Sequence, residues 1–87
     1  MEGCLTYSIN NKEYIETKGE GLANIIKGWL NSKGFDVLVY DLVLGDFANM
    51  IVDYSFEENI DIERLKQLTQ QVFERFNVEY KLNENIG

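Results

Sequence analysis

Histidine is absent from this 87-residue chain. That removes Ser-His and Cys-His nucleophilic pairs, and most zinc sites, from consideration. Proline is absent too, and cysteine occurs once, at Cys4, so no internal disulfide can form. A reducing, cytoplasmic setting is the expectation, because disulfides persist in oxidising compartments. No apolar run reaches the length of a membrane span. The N-terminal stretch MEGCLTYSIN lacks the basic start and apolar core of a secretory signal, so no membrane association is expected. Positive charge is scarce: 8 Lys and Arg stand against 15 Asp and Glu, for a formal net charge of −7. Such a balance argues against direct binding to nucleic-acid phosphates or anionic lipid, and towards a basic protein partner.

The apolar content, 45% of residues, is that of a folded chain, and the length suits one domain spanning residues 1–87. The most informative stretch is FDVLVYDLVLGDFANMIVDYSF, residues 35–56. It reads as a hairpin turning at Gly45-Asp46, with Gly in the position of a type II′ turn that needs a positive φ. That turn pairs Phe35 with Phe56, Val37 with Tyr54, Val39 with Val52, Asp41 with Met50 and Val43 with Ala48. These pairs form one apolar face, interrupted by Asp41. The opposite face carries Leu38, Tyr40, Leu42, Leu44, Phe47 and Ile51, among Asp36, Asn49, Asp53 and Ser55. A hairpin in a small domain normally has one dry face and one wet one; this one is apolar on both.

Leu5, Tyr7 and Ile9 alternate as in a strand, and Asn10-Asn11 reads as a tight turn into a second strand, Lys12–Thr17. Gly19 and Gly21 then break the pattern ahead of a helix whose apolar stripe is Leu22, Ile25, Ile26, Trp29 and Leu30, stopped at Gly34. Beyond the hairpin, Asp61 is the expected N-cap of a second helix, stapled by Ile60 and Leu65. Its stripe is Ile62, Leu65, Leu68, Val72, Phe73 and Phe76, with Asn77 closing it. Val78–Leu82 reads as a last strand, and the NENIG end is expected to fray. The expected fold is an α+β two-layer sandwich in β-β-α-β-β-α-β order, with both helices on one face of a mostly antiparallel sheet. Its later six elements follow the ferredoxin-like, split β-α-β succession. A first hairpin conflicts with that arrangement, since the strand before the first helix is then internal and has no free edge, so the strand order stays open.

Chemistry-bearing residues are few. Cys4 has no His and no CxxC partner, and reads as a packed strand residue. Gly19-x-Gly21 begins a dinucleotide-type glycine pattern, but Asn24 stands in the last glycine position and Glu20 puts negative charge where phosphate would sit. Asp53, Ser55, Glu57, Asn59 and Asp61 alternate like calcium ligands, yet Glu58 replaces the required Gly and Arg64 the bidentate Glu. Asp41 sits alone on an apolar face, a rim position or half of a salt link. The tyrosines lack the basic groove of a single-strand binder. No cofactor, metal or catalytic residue is expected.

What remains is contact. The outward residues Leu38, Tyr40, Leu42, Leu44, Phe47 and Ile51 form an apolar docking patch with an acidic rim of Asp36, Asp46, Asp53, Glu57 and Glu58. The expected function is non-enzymatic: docking on a basic, nucleic-acid-handling protein, in the manner of small acidic phage inhibitors of defence nucleases, an analogy of size and charge alone. Alternatives are a homodimer closed through the same face, and a small-ligand sensor at a dimer cleft.

Overall fold

A computed structural model describes residues 3–83. The elements are β1 Cys4–Ile9, α1 Lys12–Ser32, β2 Leu38–Leu44, β3 Phe47–Asp53, α2 Ile62–Arg75 and β4 Tyr80–Asn83. All neighbouring strands are antiparallel, in the order β2-β3-β1-β4. Strands β1 and β2 therefore run the same way with β3 between them, and β3 and β4 run the same way with β1 between them. Each helix thus bridges two parallel strands across an intervening antiparallel one, the split β-α-β arrangement of an α+β two-layer sandwich.

The strand expected at Lys12–Thr17 does not form; these residues are the first turns of α1. Asn11 is an N-cap rather than a turn residue, its side chain accepting the Tyr14 N–H at 3.0 Å. The apolar stripe explains why. Ile15, Leu22, Ala23, Ile26 and Leu30 are all buried at helical spacing, and Ile15 extends the stripe two turns back from Leu22. Within the helix, the Thr17 hydroxyl donates back to the Glu13 carbonyl at 2.8 Å. Removing the first hairpin also removes the conflict over sheet order, because β1 is then free to pair with β3 and β4.

Gly19, far from breaking α1, lets it lie close on β2. A Cβ there would sit 2.9 Å from Asp41 Oδ2 and 3.1 Å from Asp41 Cβ. Both helices end in Schellman motifs. Phe35 N–H donates to the Leu30 carbonyl across Gly34 (φ 92°), and Val78 N–H to the Phe73 carbonyl across Asn77 (φ 55°). Asp61 caps α2 as expected, accepting the Arg64 N–H at 3.1 Å. The predicted stripes hold except at one flank: Ile25 and Phe76 are exposed and Trp29 only half-buried, on the helix sides away from the sheet. Of the NENIG end expected to fray, Asn83 is instead the last residue of β4, and residues 84–87 lie outside the described ones.

The core lies between the layers. Leu5, Tyr7 and Ile9 of β1 and Ala48, Met50 and Val52 of β3 meet Ile26 and Leu30 of α1 and Leu65, Leu68, Val72 and Phe73 of α2. Tyr7, Phe73 and Tyr80 cluster with ring centroids 4.8–5.6 Å apart, which ties the short strand β4 to β1 and α2. The Tyr7 hydroxyl is buried without a hydrogen bond of standard geometry. The neighbouring Thr69 hydroxyl donates instead to the Leu65 carbonyl at 2.8 Å. Burial pushes the Tyr7 phenol from 10.0 up to about 12, tempered by Thr69 and reinforced by Tyr80.

Two measurements follow. Gly19→Ala costs about 1–3 kcal/mol by overpacking against β2, despite alanine's better helix propensity. Gly21→Ala and Gly28→Ala, which meet nothing within 4 Å, each stabilise by about 0.5–1 kcal/mol. Denaturant unfolding separates the three, and a more stable Gly19→Ala contradicts the close packing. For Tyr7, the folded pKa is raised. Its contribution is therefore full below pH 10.0 and is lost as pH rises towards about 12. Tyr7→Phe should leave stability at neutral pH within about 1 kcal/mol of the parent, since no hydrogen bond is lost. It should also flatten the alkaline fall in unfolding midpoint; an unchanged alkaline profile contradicts this.

Candidate functional site: the open face of the sheet

Both helices cover one face of the sheet, so the residues between the buried ones point away from them. The turn places them as expected. Gly45 has φ 60°, no positive φ occurs at Asp46, and the register runs Leu44–Phe47, Val43–Ala48, Asp41–Met50, Val39–Val52. A positive φ at the first turn position alone is the type II′ pattern. The ladder stops at Leu38–Asp53 and does not reach Phe35 or Phe56. The chain turns away there, with Glu57 N–H donating to the Tyr54 carbonyl at 3.0 Å. Phe56 is consequently exposed instead of facing Phe35.

On the open face, cross-strand rows are set by the pairing: Leu38–Asp53–Cys4, then Tyr40–Ile51–Thr6–Asn83, then Leu42–Asn49–Ser8–Lys81, then Leu44–Phe47 at the turn. Its two halves differ. The β2 half is apolar and uncovered: Leu38 and Tyr40 are 44% exposed, Leu44 60% and Phe47 74%. The β1–β4 half is polar. Asn83 Nδ2 donates to Ser8 Oγ at 2.6 Å, and Ser8 Oγ to Asn49 Oδ1 at 3.5 Å, making a ladder across three strands. Ile51, expected as part of the patch, points outward but is only 8% exposed. It lies in an interior strand between Tyr40 and Thr6, and its neighbours close over it.

The acidic rim is divided. Asp36, Asp53, Glu57 and Glu58 lie at the base of the hairpin and Asp46 at its tip, about 20 Å away along a seven-residue strand. Two of the basal carboxylates hold the chain rather than face solvent freely. Glu57 accepts the Asp36 N–H at 2.6 Å, and Asp53 accepts both the N–H and the hydroxyl of Ser55. The Ser55 hydroxyl, then its N–H, hold the Asp53 carboxyl below its ordinary value of 3.8. With Asp61 capping α2, three acids of the calcium-like series each serve a different N–H. Among the described residues no group of three or more His, Cys, Asp or Glu is placed to hold a metal ion. Gly19 and Gly21 lie inside α1, not at its N-terminus, so the phosphate-loop pattern has no loop to act in. Cys4 is half-buried on the polar half, opposite Asp53. No helix among the described residues is long and apolar enough to cross a membrane.

Charge is unevenly distributed between the helices and the rest. Residues 12–33 and 62–75 carry seven of the eight Lys and Arg but five of the fifteen Asp and Glu. The other described residues, in the strands and connections, hold eight acids and a single cation, Lys81, which stands on the open face. Sequence reading missed the polar half of the face and the exposure of Phe56. It had no signal for either without knowing which strands are neighbours. Comparison of the chain with protein-family models, curated proteins and solved structures finds no match.

Replacing Ser55 by Ala removes the hydroxyl, the larger of the two causes, while keeping the backbone N–H, and should raise the Asp53 pKa towards 3.8. The sign follows from linkage: a carboxyl depressed in the folded state adds stability above its unfolded value and loses it as pH falls through the folded one. The variant should therefore lose stability at neutral pH and show a weaker acid dependence. Carboxyl titration by NMR checks this, and an Asp53 value that does not rise contradicts it.

Proposed function

We propose that this protein is a non-catalytic binding protein that docks on a basic macromolecular partner through the apolar half of its open sheet face. The observation that carries this reading is the contiguous stripe of Leu38, Tyr40, Leu42, Leu44 and Phe47, uncovered between Asp46 at the tip of the hairpin and Asp36, Asp53, Glu57 and Glu58 at its base. The stripe presents apolar surface on the order of 500 Å², the scale at which a patch marks a contact. With its polar surround it supplies roughly the 800 Å² per partner of a standard interface. Acidic charge around an apolar centre steers a basic partner into place, while the apolar contact supplies the residence time. Proteins that handle nucleic acid carry grooves of that sign, and an acidic domain occupying one competes with phosphate. Inhibition of such a protein is the activity this reading assigns.

A second copy is a poorer occupant of the face. Each chain carries a net charge of −7, so self-docking brings two strongly negative molecules together. Light scattering should therefore give a mass near 10.1 kDa, and a tight dimer would instead assign the face to self-association. The partner reading is tested by affinity capture from cell extract with the parent, Leu42→Asp and Phe47→Asp, each verified as folded by circular dichroism. The expected result is a protein retained by the parent, reduced about tenfold by either variant, and released near 1 M salt, where charges are screened beyond ~3 Å. Equal retention by all three proteins would discard the face as the docking site.

A further inference from the structure

The strand that carries the exposed stripe is also an edge. In the order β2-β3-β1-β4, β2 pairs only with β3 among the described residues, so one side of Leu38–Leu44 has no strand beside it there. Natural proteins guard such edges with proline, lysine, bulges or very short strands. Here the strand has seven residues, none of them proline, glycine or lysine, and it is paired through without interruption. A single device remains. Asp41, at the middle of the strand, points to the helix side, where it is half-buried against Gly19. Among the described residues no lysine or arginine forms an ion pair with it.

An inward charge is tolerable on an edge strand because the carboxylate reaches water past the open side. A strand added at that side closes the route. An apolar newcomer would leave the charge desolvated and without a partner, which disfavours its binding. A second copy would fare worse. Antiparallel pairing of two β2 strands about a twofold axis centred on the strand sets Asp41 directly against its own copy, and like charges facing each other across a ladder repel. A lysine or arginine at that place reverses the sign and gives a charge-assisted hydrogen bond in a partly dry site. Two more acids, Asp36 and Asp46, stand five residues to either side, about 16 Å from Asp41 at strand spacing.

We infer that the partner contacts this protein through an extended segment that adds as a strand to the free edge of β2, with a lysine or arginine set against Asp41 and apolar side chains alternating onto the Leu38–Leu44 side. This rests on the docking reading above and names what docks. The edge supplies main-chain hydrogen bonds, the stripe supplies apolar selection, and Asp41 supplies the sign. The same carboxylate that admits a basic strand turns away the protein's own.

The test uses a synthetic seven-residue peptide, the length of β2, with leucine at alternate positions, threonine between and a central lysine. A second peptide has glutamate at the centre. Two further versions of the lysine peptide are N-methylated at alternate residues, one in each phase, so that one of them loses every hydrogen bond it donates to β2 and sets methyl groups against that edge. Binding is followed by amide shifts and exchange protection in the full chain. The lysine peptide should bind and protect β2 amides, the glutamate peptide should bind about tenfold more weakly, and one N-methylated version should not bind. Asp41→Lys should reverse the preference. Asp41→Asn, a milder change in packing, should bring the two peptides within about twofold of each other. Absence of lysine-peptide binding, equal binding of both N-methylated versions and the parent peptide, or an unchanged preference in Asp41→Asn overturns the edge inference. If Phe47→Asp still weakens partner capture in that case, the face reading stands without the edge; if capture is also unchanged, both fall.

Discussion

The register of one hairpin governs the rest of the molecule. Gly45 takes a φ of 60°, which an L-residue with a side chain seldom adopts, and so fixes a two-residue turn between Leu44 and Phe47. Side chains along a strand alternate with a period of two, so a slip of one position would exchange every inward and outward residue. Val39 and Val43 would go to solvent and Leu38, Tyr40, Leu42 and Leu44 to the helices. With the turn as it is, the smaller β-branched residues and Asp41 meet α1 while the larger leucines and tyrosine stay outside. The inner set brings Asp41 under α1 at Gly19, where a Cβ on the helix would lie 2.9 Å from the Asp41 carboxylate.

From that register come two layers with different duties. The helical layer and the inward strand residues make the core, drawn together around Tyr7, Phe73 and Tyr80 on one side and Ile26, Leu30 and Met50 on the other. A chain of this length buries only about 60–65% of its unfolded surface, so little apolar surface can be left outside without purpose or cost. Five large apolar residues are nonetheless left outside on β2 and the start of β3. Acids flank them, Asp46 at the turn and Asp36, Asp53, Glu57 and Glu58 at the base of the hairpin, and seven of the eight cations lie within residues 12–33 and 62–75. An uncovered apolar stripe, an unpaired backbone edge and negative potential thus coincide on one strand, and their coincidence, more than any one of them, supports a docking role.

The hairpin was legible in the sequence because its information is local. A glycine in the right turn position and strict alternation on both sides specify the turn, the register and which residues share a face. The second helix was legible for the same reason, with Asp61, Leu65, Leu68, Val72, Phe73 and Asn77 each performing the expected local role. The first helix was misread at its start. Lys12–Thr17 is short, polar and flanked by Asn10-Asn11 and two glycines, a pattern that local propensity assigns to a turn and strand. What decides for helix is the buried pairing of Ile15 with the sheet and the tolerance of Gly19 for Asp41, and both are contacts with residues more than twenty positions away. Ile51 was misjudged for a related reason: its outward direction followed from the register, but its cover came from β1, whose place beside β3 was unknown.

By itself, then, the sequence determined the α+β class, the hairpin with its two apolar faces, the second helix with both its ends, and the absence of histidine-dependent chemistry. These follow from period, turn residues and composition, which act over a few neighbouring positions. Tertiary structure alone decided that β3 and β1 occupy the middle of the sheet, that β2 is an edge, that the open face is apolar on one half and polar on the other, and that Asp41 stands where an added strand would meet it. Those properties depend on which strands become neighbours. That choice is made by how the two helical stripes pack across the whole sheet, and no short stretch of chain contains it.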